Sequence, residues 1–213
     1  MIMVPTIRLL IAAYSIISIP LLCADNLIAN AGFESGEEEW VLFIPPEHEG
    51  APVEWKIGTD ESQSGAASAS VQAGEPVRFA LSSKKVISVT PGEKYRIRAW
   101  IKFSNDAEIL GNLPVAYIRA TLSEASKLDI TDALGHFHIG LTGDVARNPA
   151  VQKLAVPQVP KGWRKIEAVI EIPDDVALMG LNLFTHGVTG TAYWDDVSVE
   201  LVPPETRLSR VIE

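Results

Sequence analysis

Apolar and polar residues alternate along most of the chain between residues 25 and 202. A period of two is typical of strands that bury one face. Turn sequences such as TPGE and PKGW separate seven such segments, which are residues 67–73, 77–83, 93–103, 115–124, 164–172, 178–186 and 191–201. Because no amphipathic helix interrupts them, the pattern predicts an all-β fold, an antiparallel sandwich or barrel.

Residues 125–162 interrupt this alternation with weak patterns and several prolines. A long irregular insertion in a compact domain is usually functional, and we expect this one to cover an edge or a face of the sandwich. Two prolines follow the last strand pattern, and proline cannot extend a central ladder. The sequence therefore predicts one domain at residues 25–202 and a C-terminal tail at 203–213.

The first 24 residues contain one base, Arg8, no acid, and the apolar run LLIAAYSIISIPLLCA. This pattern is typical of a secretory signal peptide and predicts export after cleavage at Ala24, which leaves no membrane span in the mature chain. Two alternatives stay open. Leu22, three positions before the cleavage point, allows an uncleaved anchor, and Cys23 allows a lipoprotein, although a small residue is expected before the cysteine.

Composition narrows the classes of partner. The chain has 213 residues, enough for one sizeable core, and a net charge of -9 at pH 7. Its basic residues form no run, so nucleic acid is excluded as a partner, while neutral or weakly charged ligands stay open. Cys23 is the sole cysteine, so the mature chain would fold without disulfides.

Five segments, in this order and at these separations, resemble one known family. They are DNLIANAGFESG (25–36), QSGAASASV (63–71), TPGEKYRIRAWIKF (90–103), KGWRKIEAVIEIP (161–173) and YWDDVSVEL (193–201). Together they resemble the CenC-type carbohydrate-binding modules, whose fold is galactose-binding-like. The resemblance implies a two-sheet jelly roll, a structural calcium ion (Ca2+) and, in many members, a sugar-binding groove on the concave sheet. Such modules are usually attached to a glycoside hydrolase.

Two acids are candidate metal ligands. On the period-two pattern of GTAYWDDVSVEL, Asp195 falls on the same inward face as Val197 and Val199, and an unpaired buried carboxylate costs several kcal/mol. The resemblance matches Glu34 to the acid of the opening motif and Asp195 to the first acid of the closing motif, which implies that both bind calcium. Asp196 is expected to face solvent. The alternative is that Asp195 only accepts hydrogen bonds from backbone N–H groups.

A set of aromatic and polar side chains is the candidate sugar platform, because aromatic faces stack on sugar rings and polar groups bond their hydroxyls. Alternation turns these residues outward from three strands, whose predicted inward core sets are Tyr95, Ile97, Ala99, Ile101 and Phe103; Ala116, Ile118, Ala120 and Leu122; and Met179, Leu181 and Leu183. If the three strands share the concave sheet, the platform consists of Arg98, Trp100, Tyr117, Arg119, Asn182 and Phe184. The alternative is that residues 125–162 fold over this face and bury the same aromatics as a second small core.

Three functions follow, and the first is favoured. It is a non-catalytic module that binds polysaccharide or oligosaccharide. The second is an envelope structural or protein-interaction domain with a closed groove, and the third is a small polysaccharide hydrolase or lyase. Glycoside hydrolysis needs two carboxyl groups across an open cleft, which acids on terminal strands supply poorly, so no catalytic residue is assigned. His136 and His138 would share a strand face, and we interpret them as a surface pair rather than a metal site.

Overall fold

The computed structural model describes residues 25–110, 114–124, 135–142, 151–153 and 159–209. Within these ranges the structure is thirteen strands and one short 3-10 helix, Pro46–His48. No helix of the described ranges is long and apolar enough to cross a membrane. The predicted signal segment, with Arg8, Leu22, Cys23 and Ala24, lies outside the described residues.

The strands form two sheets, as the alternation predicted. Sheet A has the order β1-β4-β12-β8-β9-β10, with β5 beside β12. Its strands are β1 (Trp40–Phe43), β4 (Arg78–Ser83), β5 (Ile87–Ser88), β8 (Pro114–Ser123), β9 (Gly135–Thr142), β10 (Val151–Lys153) and β12 (Leu178–His186). Sheet B has the order β11-β6-β13-β3-β2, with β7 beside β13. Its strands are β2 (Val53–Gly58), β3 (Ser68–Ala73), β6 (Lys94–Phe103), β7 (Glu108–Ile109), β11 (Arg164–Glu171) and β13 (Val188–Val202). All pairings are antiparallel except that of β9 with β10.

The core lies between the sheets and is built from alternate residues of each strand. Along β6 the buried set is Tyr95, Ile97, Ala99, Ile101 and Phe103, as the sequence predicted. Sheet A contributes the buried side chains of Ile118, Ala120, Leu122, Met179, Leu181 and Leu183. Full burial of one large aliphatic or aromatic side chain stabilises the fold by roughly 1.5–3 kcal/mol.

The insertion is less irregular than its sequence predicted. Strand β9 pairs with β8, and β10 pairs with β9, so the described part of residues 125–162 extends sheet A at its edge. Its pattern was missed because GHFHIGLT has glycine at two positions and few large apolar residues. The remaining parts of the insertion, residues 125–134, 143–150 and 154–158, lie outside the described residues.

A bulge interrupts β13 at its two acids. The register against β6 shifts between Asp195 and Ser198, and Asp196 has φ of 47°. A bulge adds one residue and so reverses the phase of the alternation. The predicted inward face is therefore right for Val197 and Val199, which pack in the core with Trp194, and wrong for Asp195, which lies opposite Trp100 on the outer side of sheet B.

The opening segment lies beside this bulge, so the two ends of the domain meet as predicted. Leu27 N–H donates to the Val199 carbonyl at 2.9 Å, and Val197 N–H donates to the Ala31 carbonyl at 3.0 Å. The Asn26 side chain spans the same place: Nδ2 donates to the Val197 carbonyl at 2.9 Å, and Oδ1 accepts from Val199 N–H at 3.0 Å.

The tail continues past the end of the last strand. Strand β13 ends at Val202, where the prolines predicted an end. Farther on, Ser209 N–H donates to the Val169 carbonyl at 3.0 Å, and Ser209 Oγ accepts from Val169 N–H at 2.8 Å. The tail thus covers part of the open edge of β11, where unpaired backbone groups would otherwise invite association.

Replacing Asn26 tests the junction between the two chain ends. Asn26→Ala removes the side-chain partners of Val197 and Val199, and we expect a loss of about 1–2 kcal/mol in the free energy of unfolding, measured by urea titration. Gln72→Ala, at an exposed position of β3, is the matched control and should change it by less than about 0.5 kcal/mol. Equal stabilities of the two variants would contradict the role given to Asn26.

Candidate functional site

The outer surface of sheet A, which we call face A, carries aromatic, imidazole and guanidinium side chains. Alternation along β8 and β12 produces it, because the core takes one half of each strand and the other half must point out. Its members are Val41, Phe43, Arg78, Ala80, Ser82, Tyr117, Arg119, Thr121, His136, His138, Asn182, Phe184 and His186.

Strand register arranges these side chains in two rows across the sheet. In one row Phe43 stands opposite Ala80, Ala80 opposite Phe184, and Phe184 opposite Tyr117. In the next row the order is Val41, Ser82, Asn182, Arg119 and His138. The first row is mainly aromatic and the second mainly polar. Directly opposed side chains on one face of a sheet are close enough to interact, so the members of each row can contact their neighbours.

The aromatic row is a continuous chain of ring contacts. Phe184 and Tyr117 are stacked with ring centroids 5.1 Å apart and an interplanar angle of 10°, and Phe43 meets Phe184 edge-on at 6.4 Å. Tyr117 also contacts the His138 ring at 4.8 Å, and His138 contacts His136 at 4.6 Å. The two histidines therefore share a strand face, as predicted, and belong to face A.

Hydrogen bonds orient the polar row. Ser82 Oγ donates to Asn182 Oδ1 at 2.6 Å, which fixes the amide so that its NH2 group is left as a donor. The Arg119 guanidinium lies 5.9 Å from the Phe184 ring centroid, and its terminal nitrogen is 3.5 Å from His136 Nδ1. Arg78 forms an ion pair with Glu47, which is the one carboxylate among the polar contacts of this face within the described residues.

Burial separates the accessible members of face A from the covered ones. Phe184 and Tyr117 are only 3% and 6% exposed, and with Ala80 they form an apolar cluster apart from the main core. Phe43 is 38% exposed, and Arg119 and Asn182 are half-buried. The second small core that the sequence allowed thus exists for two aromatics, while the polar row and Phe43 stay within reach of a ligand.

The imidazoles of face A are held neutral. Burial lowers the pKa of His138 to about 4, with the charges of His136 and Arg119 adding to the effect. Burial also lowers the pKa of His136 and of His186 below the usual range. At neutral pH these rings are therefore uncharged, and each can donate or accept a hydrogen bond.

Arg98 and Trp100 do not belong to this set. They lie on β6, which is in sheet B, so the expectation that three strands share one sheet is wrong. Arg98 forms an ion pair with Glu200 at 2.6 Å, and half-buried Trp100 lines a cleft of about 410 Å³ beside the bulge. Tyr117, Arg119, Asn182 and Phe184 are brought together, on the opposite side of the core.

The predicted metal ligands meet on one loop, and we call Glu34, Asp195 and Asp196 the acid cluster. Glu34 Oε1 accepts from the N–H groups of Ala66 and Ala67 at 2.9 and 3.1 Å. Asp195 is fully buried; its Oδ2 accepts from Gln63 N–H at 2.7 Å and its Oδ1 from Asp196 N–H at 2.7 Å. The hydrogen bonds from backbone N–H groups that the alternative predicted for Asp195 are therefore present.

Asp196 completes the cluster instead of facing solvent freely. Its Oδ1 accepts from Ser64 Oγ at 2.7 Å. Burial is the main cause that raises the pKa of Asp195, to about 6, and the neighbouring Asp196 charge adds to it, against the backbone hydrogen bonds that lower it.

The carboxylates of Asp195 and Asp196 come together beside Gly32, whereas that of Glu34 lies against Gly65. The position of a Cβ on Gly32 would lie 3.8 Å from Asp195 Oδ1, 3.9 Å from Asp196 Oδ1 and 3.8 Å from Glu34 Cγ. None of the ion pairs within the described residues involves these acids. Within the described residues, no group of three or more His, Cys, Asp or Glu side chains is arranged to hold a metal ion. A cation at the acid cluster would therefore also need backbone carbonyl oxygens as ligands, which calcium accepts.

Comparison with known proteins gives the fold. No protein-family model matches the sequence, and no curated protein matches it. The enzymatically active domain of tailspike protein 4 of bacteriophage CBA120 is similar, with a TM-score of 0.55 and 12% identity over 83% of this chain; this chain spans 21% of that one. The CBM22-1 xylan-binding domain of Xyn10C from Paenibacillus barcinonensis has a TM-score of 0.51 and 16% identity, covering 84% of this chain and 96% of that one.

A third similar structure is TmCBM61 in complex with beta-1,4-galactotriose, with a TM-score of 0.50 and 16% identity. The match covers 84% of this chain and 100% of that one. At such identities the likeness shows the fold alone. The predicted two-sheet jelly-roll sandwich is confirmed.

Proposed function

We propose that this protein is an exported, non-catalytic module of the CenC type that binds polysaccharide or oligosaccharide through face A. The observation that carries the proposal is the polar row of Asn182 and Arg119 beside the accessible ring of Phe43. The fold supports it, since similar structures include a xylan-binding domain and a module in complex with a galactotriose.

The chemistry of face A suits a sugar. Asn182 and Arg119 stand directly opposite each other on β12 and β8, so their Cβ atoms lie roughly 5 Å apart and the two side chains can bond neighbouring hydroxyls of one ring. Phe43 offers an apolar ring for the C–H surface of a sugar. The buried stack of Tyr117 and Phe184 holds the strands that carry these groups, and does not itself offer a free ring face.

The carboxylates beside face A and in the acid cluster favour binding over hydrolysis. Glycosidases need two carboxyl groups about 5–10 Å apart across the sugar. On face A the Glu47 carboxylate is occupied by Arg78, and in the acid cluster Glu34 and Asp195 accept backbone N–H groups.

Calcium at the acid cluster is the second part of the proposal. The carboxylates of Asp195 and Asp196 lie beside Gly32 and that of Glu34 lies against Gly65, and none of the three has a basic partner among the ion pairs of the described residues. A bound cation would neutralise this charge and relieve the burial of Asp195. It would tie the opening segment, the loop at residues 63–67 and the bulge together.

An interaction domain with a closed groove is the second candidate. The observation in its favour is the burial of Tyr117 and Phe184, which removes two of the predicted platform rings from solvent.

Calorimetry with soluble β-glucans, xylans and mannans tests the binding face. We expect at least one glycan to bind, and Asn182→Ala and Phe43→Ala each to weaken it about five- to tenfold, the equivalent of about 1–1.4 kcal/mol. Trp100→Phe, on sheet B, is the control and should bind like the wild type. Silence across the panel with folded protein would favour the interaction domain, and loss of binding in Trp100→Phe alone would move the site to sheet B.

Chelation tests the calcium site. EDTA should lower the melting temperature of the wild type, because the acid cluster then repels itself in a buried setting. Asp195→Ala should lower the melting temperature without EDTA and abolish the response to it, and Glu34→Gln should reduce the response. A wild-type melting temperature that ignores both EDTA and added calcium would refute the site.

The pH dependence of the free energy of unfolding, measured in the presence of EDTA, tests the burial of Asp195. Its pKa rises from 3.8 to about 6 on folding, so the folded state binds the proton more tightly. The corresponding stability is present below pH 3.8 and is lost as the pH rises through 6, by about 1–3 kcal/mol. Asp195→Asn should lack this component, as measured by urea titration from pH 4 to pH 7. Identical pH slopes in the two proteins would contradict the assignment.

A further inference from the structure

Face A is positively charged although the protein as a whole is acidic. The net charge of the chain is -9, yet face A carries the two guanidinium groups of Arg78 and Arg119. Glu47 pairs with Arg78, which leaves Arg119 as the uncompensated charge of this face among the described residues. A local field of opposite sign to the net charge marks a place where an anionic group is favoured.

Arg119 has no acidic partner within the part of the chain that the structure describes. Its described polar contacts are the Phe184 ring at 5.9 Å and His136 Nδ1 at 3.5 Å, and its Nε is buried without a hydrogen-bond partner. Burial lowers the pKa of this guanidinium below its usual range. A half-buried cation with an unpaired N–H is unfavourable in the free protein, and a bound anion would relieve it.

The pKa values of the neighbouring histidines reflect the same positive charge. The charge of Arg119 contributes to the lowered pKa values of His136 and His138, and that of Arg78 to the lowered pKa of His186. Since the imidazoles are neutral, they add no cation of their own. The positive character of face A therefore comes from the guanidinium groups, and its accessible part centres on Arg119.

We propose that the glycan bound on face A carries uronic-acid carboxylates and that Arg119 binds the carboxylate. This inference rests on the proposed function and specifies its ligand. The planar fork of arginine matches a carboxylate with two parallel hydrogen bonds. Asn182, opposite Arg119 and with its Oδ1 already bonded to Ser82, supplies a donor to a neighbouring hydroxyl of the same sugar.

The negative charge of the rest of the protein limits how many carboxylates the bound glycan can carry. A polyanion such as nucleic acid needs many cations along its path, whereas face A offers one uncompensated guanidinium in a protein of net charge -9. A glycan that carries one carboxylate per binding site satisfies Arg119 without meeting the surrounding acidic surface.

Matched polymers test the proposal. Glucuronoxylan, polygalacturonate and alginate are each compared with their carboxyl-reduced forms, which keep the sugar chain and lose the charge. We expect the wild type to bind native glucuronoxylan, whose carboxylates are spaced along a neutral backbone, at least tenfold more tightly than its reduced form, with the preference falling as salt rises. The densely charged polygalacturonate and alginate should show a smaller preference. Arg119→Gln should bring the affinity for the native polymer to within about twofold of that for the reduced form.

Two further variants keep the experiment decisive. Arg119→Lys retains the charge but not the fork, so it should keep part of the preference and guards against misfolding of the glutamine variant. Arg98→Gln, which removes a guanidinium from sheet B, should keep the full preference. Equal wild-type affinities for native and reduced polymers would overturn this inference and leave the proposed function standing; no binding to any native, reduced or neutral glycan would overturn both.

Discussion

The register between β8 and β12 is the constraint on which the rest of the structure depends. Ile118 stands opposite Leu183 and Ala120 opposite Leu181, and these four side chains are buried in the core. A slip of one residue would carry this apolar set to the outside. Because the core fixes the register, it also fixes the outward rows, and the pairing of Asn182 with Arg119 is a consequence of how the interior packs.

The bulge in β13 fixes how the two ends of the domain meet, as the register between β8 and β12 fixes the side chains of face A. It places Asp195 under the loop at residues 63–67, while Asn26 bonds the backbone on the other side of the bulge. The opening segment contains no strand, yet it is held against β13 by both backbone and side-chain hydrogen bonds. Stability of the sandwich and geometry of the acid cluster are thus two aspects of one junction.

Alternation in the sequence was sufficient to predict the seven main strands and the buried sets of β6, β8 and β12, because one buried face leaves a period of two. It could not predict that β6 lies in sheet B, because which strands pair is decided by contacts far apart in the chain. For that reason Arg98 and Trp100 were grouped with residues from which the core separates them. Nothing in the segment TPGEKYRIRAWIKF itself indicates that β6 pairs with β13 and β11.

Two other features were beyond the pattern for different reasons. The bulge at Asp195 and Asp196 reverses the alternation within one strand, and only the positive φ of Asp196 and the shifted ladder reveal it. Strand β9 has small residues and histidines where a strand usually has large apolar ones, because it lies near the edge of sheet A between β8 and the three-residue β10. The overall acidity of the sequence likewise concealed the local positive charge at Arg119.

The most direct measurement of the central claim is an amide chemical-shift titration of the isotope-labelled protein with a soluble glycan oligosaccharide that binds it. We expect shift changes to concentrate on β1, β4, β8, β9 and β12, around Asn182 and Arg119, with the amides of β6 and β13 unchanged. Changes centred on Trp100 and the bulge, with face A silent, would contradict it.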